Sequence, residues 1–250
     1  KFFIMTNKYM YFIANWKMFG NLSSLNTLDK VIKFSKSKEI KKGRLIYCPP
    51  NTLISSFSKK FKNCQIGIGG QNCHESKNYG PYTGSVNSRM LKDIGAHFVI
   101  IGHSENREKG ENDKLINIKI KSALEAKLKV IFCIGETLSD KKKKKTQSIL
   151  SNQIKIGLDG IKKKSDIFIA YEPVWAIGTG IIPKLSDLFK TVDFIKSKFK
   201  GKMPKVLYGG SVNPQNIKNL KEINNIDGFL IGGASQNTNK FIDIVKKTYS

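Results

Sequence analysis

The sequence is poor in the residues that build disulfide frameworks and structural metal sites. It has four cysteines in 250 residues, none of them in a Cys-x-x-Cys pair, and only three histidines. Three of the cysteines lie in or beside apolar, strand-like runs, which is typical of buried free thiols. We therefore expect reduced thiols, and neither disulfides nor a zinc site.

Long apolar runs are also missing. Apolar residues make up 40% of the chain, yet no stretch approaches the roughly 18 residues that a membrane-spanning helix needs. Residues 1–10 have too short an apolar stretch for a signal peptide. We expect a cytoplasmic protein with no membrane partner, in which residues 1–10 form an N-terminal extension to a single domain over 11–250.

Arginine is scarce although the chain is strongly basic. The formal net charge is +25, from 44 basic and 19 acidic residues, and the only arginines are Arg44, Arg89 and Arg107. A high positive charge favours polyanionic partners, but bidentate phosphate contacts and base readout favour arginine over scattered lysine. We expect no nucleic-acid partner, and five consecutive lysines at 141–145 are expected as a solvated loop or a frayed helix start.

What the chain does have is a regular alternation of short apolar segments and longer amphipathic ones. The predicted strands are 11–15, 45–48, 65–70, 98–101, 130–134, 167–171, 205–208 and 228–231. Helices are predicted at 22–37, 52–61, 87–93, near 105, and at 114–126, 147–161, 184–199, 214–220 and 239–248. Eight strand-helix units predict an α/β fold, a closed parallel (β/α)8 barrel.

The sixth predicted strand delivers a carboxylate to the end of the barrel where active sites lie. Residues 167–170 are apolar, and Glu172 follows them directly. Pro173 stiffens the backbone after the carboxylate, while Gly178 and Gly180 give a flexible exit. We expect Glu172 to act as a base under an apolar segment that closes over the site and excludes water.

Polar side chains also follow the first and fourth strands. Asn15 and Lys17 are two residues apart, so they share one face at the end of the first strand. His103 follows the fourth strand, with Ser104 as the expected N-cap and Glu105 in the first helical turn. We expect His103 to be a neutral imidazole that donates a hydrogen bond.

Glycine pairs follow the last two strands, at 209–210 and 232–233, and Gly178 is available from the sixth. Glycines at these positions allow backbone N–H groups to approach a phosphate closely. The combined set fits proton abstraction beside the carbonyl of a small phosphorylated substrate, with no cofactor and no metal.

Seven stretches occur in an order that is characteristic of one family. They are 15–18 (Asn-Trp-Lys-Met), 80–84 (Gly-Pro-Tyr-Thr-Gly), 101–105 (Ile-Gly-His-Ser-Glu), 133–136 (Cys-Ile-Gly-Glu), 170–180 (Ala-Tyr-Glu-Pro-Val-Trp-Ala-Ile-Gly-Thr-Gly), 208–211 (Tyr-Gly-Gly-Ser) and 232–233 (Gly-Gly). Through them the chain resembles the triosephosphate isomerase family over nearly its whole length after residue 11.

The resemblance implies a role for each matching residue. Glu172 would take a proton from the carbon beside the carbonyl of dihydroxyacetone phosphate and return it to the adjacent carbon, giving D-glyceraldehyde 3-phosphate. His103 would polarise the carbonyl, Lys17 and Asn15 would stabilise the enediolate, and Glu105 would hold Lys17. Gly178, Ser211, Gly232 and Gly233 match the family's backbone donors to the phosphate, and Asn15 and Lys17 would also bind the substrate.

The resemblance also implies an isomerase of glycolysis and gluconeogenesis that works as a homodimer. In this family the loop after the third strand inserts into the neighbouring subunit. Here that loop is 71–84, and Thr83 matches the residue that reaches the neighbour's active site.

Two alternatives remain open from the residues alone. One is another phosphate-binding barrel isomerase or an aldolase, which would need a Schiff-base lysine on a central strand. The other is a catalytically silent basic barrel that binds polyanions, for which salt-sensitive retention of DNA or RNA would be the mark.

Overall fold

Eight parallel strands close into a barrel in chain order in the computed structural model, which describes residues 8–40, 42–201 and 203–250. The strands are β1 (Met10–Asn15), β2 (Gly43–Cys48), β3 (Gly67–Gly70), β4 (Phe98–Ile101), β5 (Lys129–Ile134), β6 (Ile167–Tyr171), β7 (Lys205–Tyr208) and β8 (Gly228–Ile231). Closure comes from pairing of β1 with β8, in which Tyr11 lies opposite Gly228. The predicted (β/α)8 barrel is confirmed.

Helices connect the strands and surround the barrel. They are α1 (Asp29–Ser35), α2 (Ile54–Lys60), α3 (Ser88–Asp93), α4 (Ser104–Glu108), α5 (Asp113–Glu125), α6 (Leu138–Lys142), α7 (Thr146–Gly157), α8 (Leu185–Ser197), α9 (Ile217–Leu220) and α10 (Thr238–Tyr249). Short 3-10 helices occur at Leu22–Leu28, Lys38–Ile40, Asn51–Leu53, Val174–Ala176 and Gly233–Gln236.

The predicted helices at 22–37 and 147–161 are among those that differ from the structure. The first begins as the 3-10 helix Leu22–Leu28, at whose start Asn21 and Ser24 cap each other's backbone N–H groups. The helix predicted at 147–161 ends at Gly157, four residues early. Local side-chain hydrogen bonds of this kind are not visible as hydrophobic periodicity.

The core has two layers, as expected for strands that are buried on both faces. Alternate strand residues fill the barrel interior, where Ile13, Ile46 and Phe98 pack with inward-facing residues of β5 to β8. The other strand face packs against the helices in a second, larger cluster. Because side chains fill the interior, the barrel is a packed core and not a pore.

The amino-terminal end of the barrel is held by one buried carboxylate. Asp227 pairs with Lys8 at 3.0 Å and with Lys196 at 3.1 Å, and it accepts the Val206 N–H at 2.9 Å. Burial alone would raise the pKa of Asp227, but the Val206 hydrogen bond and the two ammonium groups hold it below its usual value.

Residues 1–7 of the predicted extension lie outside the described residues, and β1 begins at Met10, so the division into an extension and a domain stays a prediction.

All four cysteines are free thiols, and Cys48, Cys73 and Cys133 are buried. No helix in the described ranges combines the length and apolarity needed to cross a bilayer.

Candidate active site

A cavity of about 370 Å3 opens at the carboxyl ends of the strands. Four of the predicted catalytic side chains line it: Asn15 and Lys17 after β1, His103 after β4, and Glu172 after β6. Three separate strands therefore bring an amide, an ammonium group, an imidazole and a carboxylate to one wall. Each of these four side chains follows the end of its strand closely, so the barrel topology determines where it stands around the cavity.

The backbone of Glu172 is fixed by strand pairing, and its side chain is almost fully shielded from water. Its backbone N–H donates to the Ile134 carbonyl at 2.8 Å, which extends the β5–β6 pairing by one residue. Its side chain is 3% exposed; one carboxylate oxygen lies 3.4 Å from Nε2 of His103 and the other accepts the Ser104 N–H at 3.4 Å. These contacts fix the carboxylate beside the imidazole and away from bulk water.

Two glycines make room for Glu172. A Cβ atom on Gly209 would lie 2.8 Å from Cγ of Glu172, and one on Gly135 would lie 1.7 Å from its carbonyl oxygen. Gly209 was predicted only as part of a phosphate-binding pair, so its steric role was missed.

The Cys133 thiol also hydrogen-bonds the carboxylate; burial first, and then the negative charge of Glu172, raise the thiol pKa well above its usual value. The thiol therefore stays protonated.

A backbone hydrogen bond orients His103. Nδ1 accepts the backbone N–H of Glu105 at 3.2 Å, which leaves Nε2 facing the cavity and Glu172. A neutral ring that donates from Nε2 fits this geometry and stays a prediction. The predicted N-cap was wrong: His103 itself caps α4 and Ser104 is the first helical residue, which leaves the Ser104 N–H free to point at Glu172.

Lys17 has a strained backbone that two side-chain amides stabilise. Its φ is +54°, a left-handed conformation that costs an L-residue roughly 1–2 kcal/mol. Its N–H donates to Oδ1 of Asn15 at 3.1 Å, and its carbonyl accepts from Nε2 of Gln71 at 2.8 Å. Gln71 also donates to the Cys48 carbonyl at 2.8 Å. Gln71 was not predicted, because nothing in its local sequence marks it.

Glu105 does not line the cavity but holds the lysine from the side. Its Oε1 lies 2.5 Å from Nζ of Lys17. Burial works to raise the pKa of Glu105, yet the hydrogen bond from Lys17, helped by nearby positive charge, lowers it below its usual value. An ionised Glu105 therefore orients the ammonium group of Lys17.

The predicted phosphate-binding residues lie along the same cavity. Gly178, Ser211, Gly232 and Gly233 all line it, as does Lys240 of α10, which the sequence did not single out. Gly178 has a φ of +71°, open to glycine but strained for other residues. A Cβ on Gly232 would lie 3.4 Å from Cε of Lys17, so the lysine stem runs beside this glycine.

The segment after Glu172 is anchored at its start. Trp175 donates from Nε1 to Glu136 at 2.9 Å, and Tyr171 donates its hydroxyl to the same carboxylate at 3.2 Å. Nζ of Lys141 lies 3.3 Å from the Trp175 ring centroid. Lys141 to Lys145 are all exposed, and Lys141 belongs to the last turn of α6 and lies over the indole.

No group of three or more His, Cys, Asp and Glu side chains among the described residues is arranged to hold a metal ion. The site instead offers a shielded base, an imidazole, a fixed ammonium group and a glycine-rich wall. This set can move a proton next to a carbonyl and stabilise the resulting oxyanion.

Comparisons with known proteins give one consistent result. The sequence model of the family described as "Triosephosphate isomerase" matches residues 10–248. The curated triosephosphate isomerase of Thermodesulfovibrio yellowstonii is 43% identical, with 94% of this chain and 98% of that protein covered. The enzyme of Aquifex aeolicus is 38% identical, with 93% and 96% covered.

A solved structure agrees with these sequences. The crystal structure of triosephosphate isomerase from Bartonella henselae superposes with a TM-score of 0.87 at 35% identity, covering 96% of this chain and 98% of that one. The resemblance inferred from the motifs is confirmed, and neither the aldolase nor the silent binding protein is favoured. The chain belongs to the triosephosphate isomerase family.

Proposed function

We propose that Glu172, His103, Lys17 and Asn15 carry the interconversion of dihydroxyacetone phosphate and D-glyceraldehyde 3-phosphate, the reaction of this family. Glu172 removes a proton from the carbon that bears the hydroxyl group beside the carbonyl. The electron pair moves onto the carbonyl oxygen and gives an enediolate. Protonated Glu172 then returns the proton to the neighbouring carbon, which completes the isomerisation without any net change in redox state.

The other three side chains act on the oxygens. Nε2–H of His103 polarises the carbonyl and moves protons between the two oxygens of the enediolate, which its neutral form permits. The Lys17 ammonium group and the Asn15 amide stabilise the negative charge as it develops, and Glu105 positions Lys17. Base, donor and cation all belong to the chain, so the proposed reaction uses neither a cofactor nor a metal ion.

Backbone groups and the lid complete the site. In this proposal the N–H groups of Gly178, Ser211, Gly232 and Gly233 bind the phosphate, and the residues from Pro173 to Gly180 close over the substrate. Closure excludes water, which protects the enediolate from losing its phosphate. It also strengthens every charge interaction inside the cavity.

The observation that carries the proposal is the 3.4 Å approach of the shielded Glu172 carboxylate to Nε2 of His103, on a wall shared with Lys17. Glu172→Gln keeps the shape but removes the base, so we expect turnover to fall by about 10² to 10⁴. A coupled assay with D-glyceraldehyde 3-phosphate measures this, and inhibition by inorganic phosphate should survive. A Gln variant with wild-type turnover would remove Glu172 as the base.

A homodimer is also part of the proposal. Met18 is 94% exposed and Tyr79 71% exposed, and Thr83 lies exposed on the same 71–84 loop. The Gln71 bond to Lys17 places the base of this loop beside the Met18 segment. Exposed apolar side chains on adjoining segments are typical of an interface. Sedimentation of the wild type and of Thr83→Arg tests the dimer. The wild type should sediment as a dimer, and Thr83→Arg should shift toward monomer because its arginine would be buried at the interface.

The proposed cellular setting is the cytoplasm, as part of glycolysis and gluconeogenesis. The four free thiols suit a reducing compartment. Fractionation of the cells that make this protein is the direct measurement.

A further inference from the structure

Lys240 brings a second ammonium-bearing side chain to the cavity wall, in addition to Lys17. It lies in the first turn of α10, and its backbone N–H donates to Oδ1 of Asn237, the N-cap, at 3.0 Å. The helix start is therefore anchored, while the side chain itself is exposed. Its position on the wall is set by the fold, although its sequence surroundings carry no motif.

The chain path brings Lys240 to the cavity soon after two of the proposed backbone donors to the phosphate. Gly232 and Gly233 follow β8, the 3-10 helix Gly233–Gln236 comes next, and α10 begins at Thr238. Lys240, Gly232, Gly233 and Ser211 all line this one cavity.

The electrostatics of the α10 start also favour an anion. The first turn of α10 has no acidic residue, and a lysine there adds to the positive end of the helix dipole, which disfavours the free helix. Within the described part of the chain, Lys240 is not one of the lysines that form ion pairs. A dianion in the cavity would offset the positive charge of both the helix end and the Lys240 ammonium group.

We propose that Lys240 is a second cationic contact for the phosphate of the substrate and raises the affinity of the enzyme for phosphorylated trioses. The inference rests on the proposed function. Because Lys240 is exposed and its ammonium group sits on a flexible stem, it acts on substrate binding and leaves the proton transfer at Glu172 alone. Its contribution is a charge interaction, so it weakens as salt is added.

The test compares Lys240→Gln with Lys240→Arg and with Lys59→Gln. Lys59 is an exposed lysine in the last turn of α2, so its substitution removes the same charge away from the cavity. At low ionic strength we expect Lys240→Gln to raise both KM for D-glyceraldehyde 3-phosphate and the inhibition constant of inorganic phosphate by about 3- to 10-fold. The arginine variant should recover most of the affinity, and Lys59→Gln should match the wild type.

Unphosphorylated D-glyceraldehyde gives the decisive contrast. Its slow isomerisation, followed by NMR, should be equally fast in the wild type and in Lys240→Gln, because no phosphate is present to contact. The inference is overturned if Lys240→Gln changes KM no more than Lys59→Gln does, or if it slows both substrates alike. A wild-type enzyme without isomerase activity would instead overturn the proposed function.

Discussion

A methyl group added at Gly209 should displace the catalytic carboxylate without unfolding the barrel. The new Cβ would lie 2.8 Å from Cγ of Glu172 and 3.4 Å from its Oε1. Carbon atoms pack at about 3.5 to 4.0 Å, so the Glu172 side chain must move by about 0.7 to 1.2 Å. The φ of Gly209 is outside the left-handed region, so alanine can adopt its backbone conformation.

A displacement of this size is large for catalysis and small for stability. Misplacing a catalytic group by 1 Å can cost about 10²-fold in rate, which corresponds to about 2.7 kcal/mol in the activation free energy. We therefore expect Gly209→Ala to lower kcat by about 10²-fold while KM changes less than about 3-fold. The melting temperature should stay within about 3 °C of the wild type, because the contact falls on a side chain that can move.

Gly67→Ala is the matched control. Its Cβ would lie 2.9 Å from Cε2 of Phe98 and 3.0 Å from Cγ1 of Ile46, in the closed interior of the barrel. Overpacking there should cost about 1 to 3 kcal/mol and lower the melting temperature by about 2 to 10 °C, with kcat near the wild type. A coupled assay and calorimetry on both variants decide the matter. A Gly209→Ala enzyme with wild-type kcat would refute the steric argument.

Two further predictions concern the cation and the barrel base. Lys17→Ala should lower kcat by about 10²-fold and also raise KM, because one ammonium group serves both the enediolate and the bound anion; steady-state kinetics with unchanged values would show that Lys17 plays no part. Asp227→Asn should lower the free energy of unfolding at pH 7 by about 2 to 3 kcal/mol, since it leaves Lys8 and Lys196 without their anion. Because folding lowers the pKa of Asp227, its contribution to the free energy of unfolding is present above the usual aspartate pKa and is lost as the pH falls through the folded value. Urea titrations should therefore show that the difference in free energy of unfolding between wild type and Asp227→Asn shrinks in acid.

The strands could be predicted from sequence because burial on both faces leaves a simple signal. The predicted 98–101, 167–171, 205–208 and 228–231 match β4, β6, β7 and β8 residue for residue. Helix starts were harder. The helix that starts at Leu22 is capped by reciprocal hydrogen bonds between Asn21 and Ser24, and such bonds follow atomic geometry more than the apolar pattern.

The site shows the same division between local and tertiary information. Side chains directly beyond a strand end, such as Glu172 and His103, could be placed because the barrel dictates where strands end. Gln71, Lys240 and the steric role of Gly209 could not. Each depends on an approach between segments that are distant in sequence: Gln71 contacts the backbone of Lys17, and Gly209 faces Glu172 across neighbouring strands.

Gln71 links two regions that would otherwise be independent. Its amide bridges the end of β2 and the backbone of Lys17, and it is also the first residue of the segment that we propose inserts into a second subunit. A shift of that segment would act on the backbone of Lys17 through this amide. A substitution at the subunit contact could slow the reaction while leaving every residue that touches the sugar unchanged.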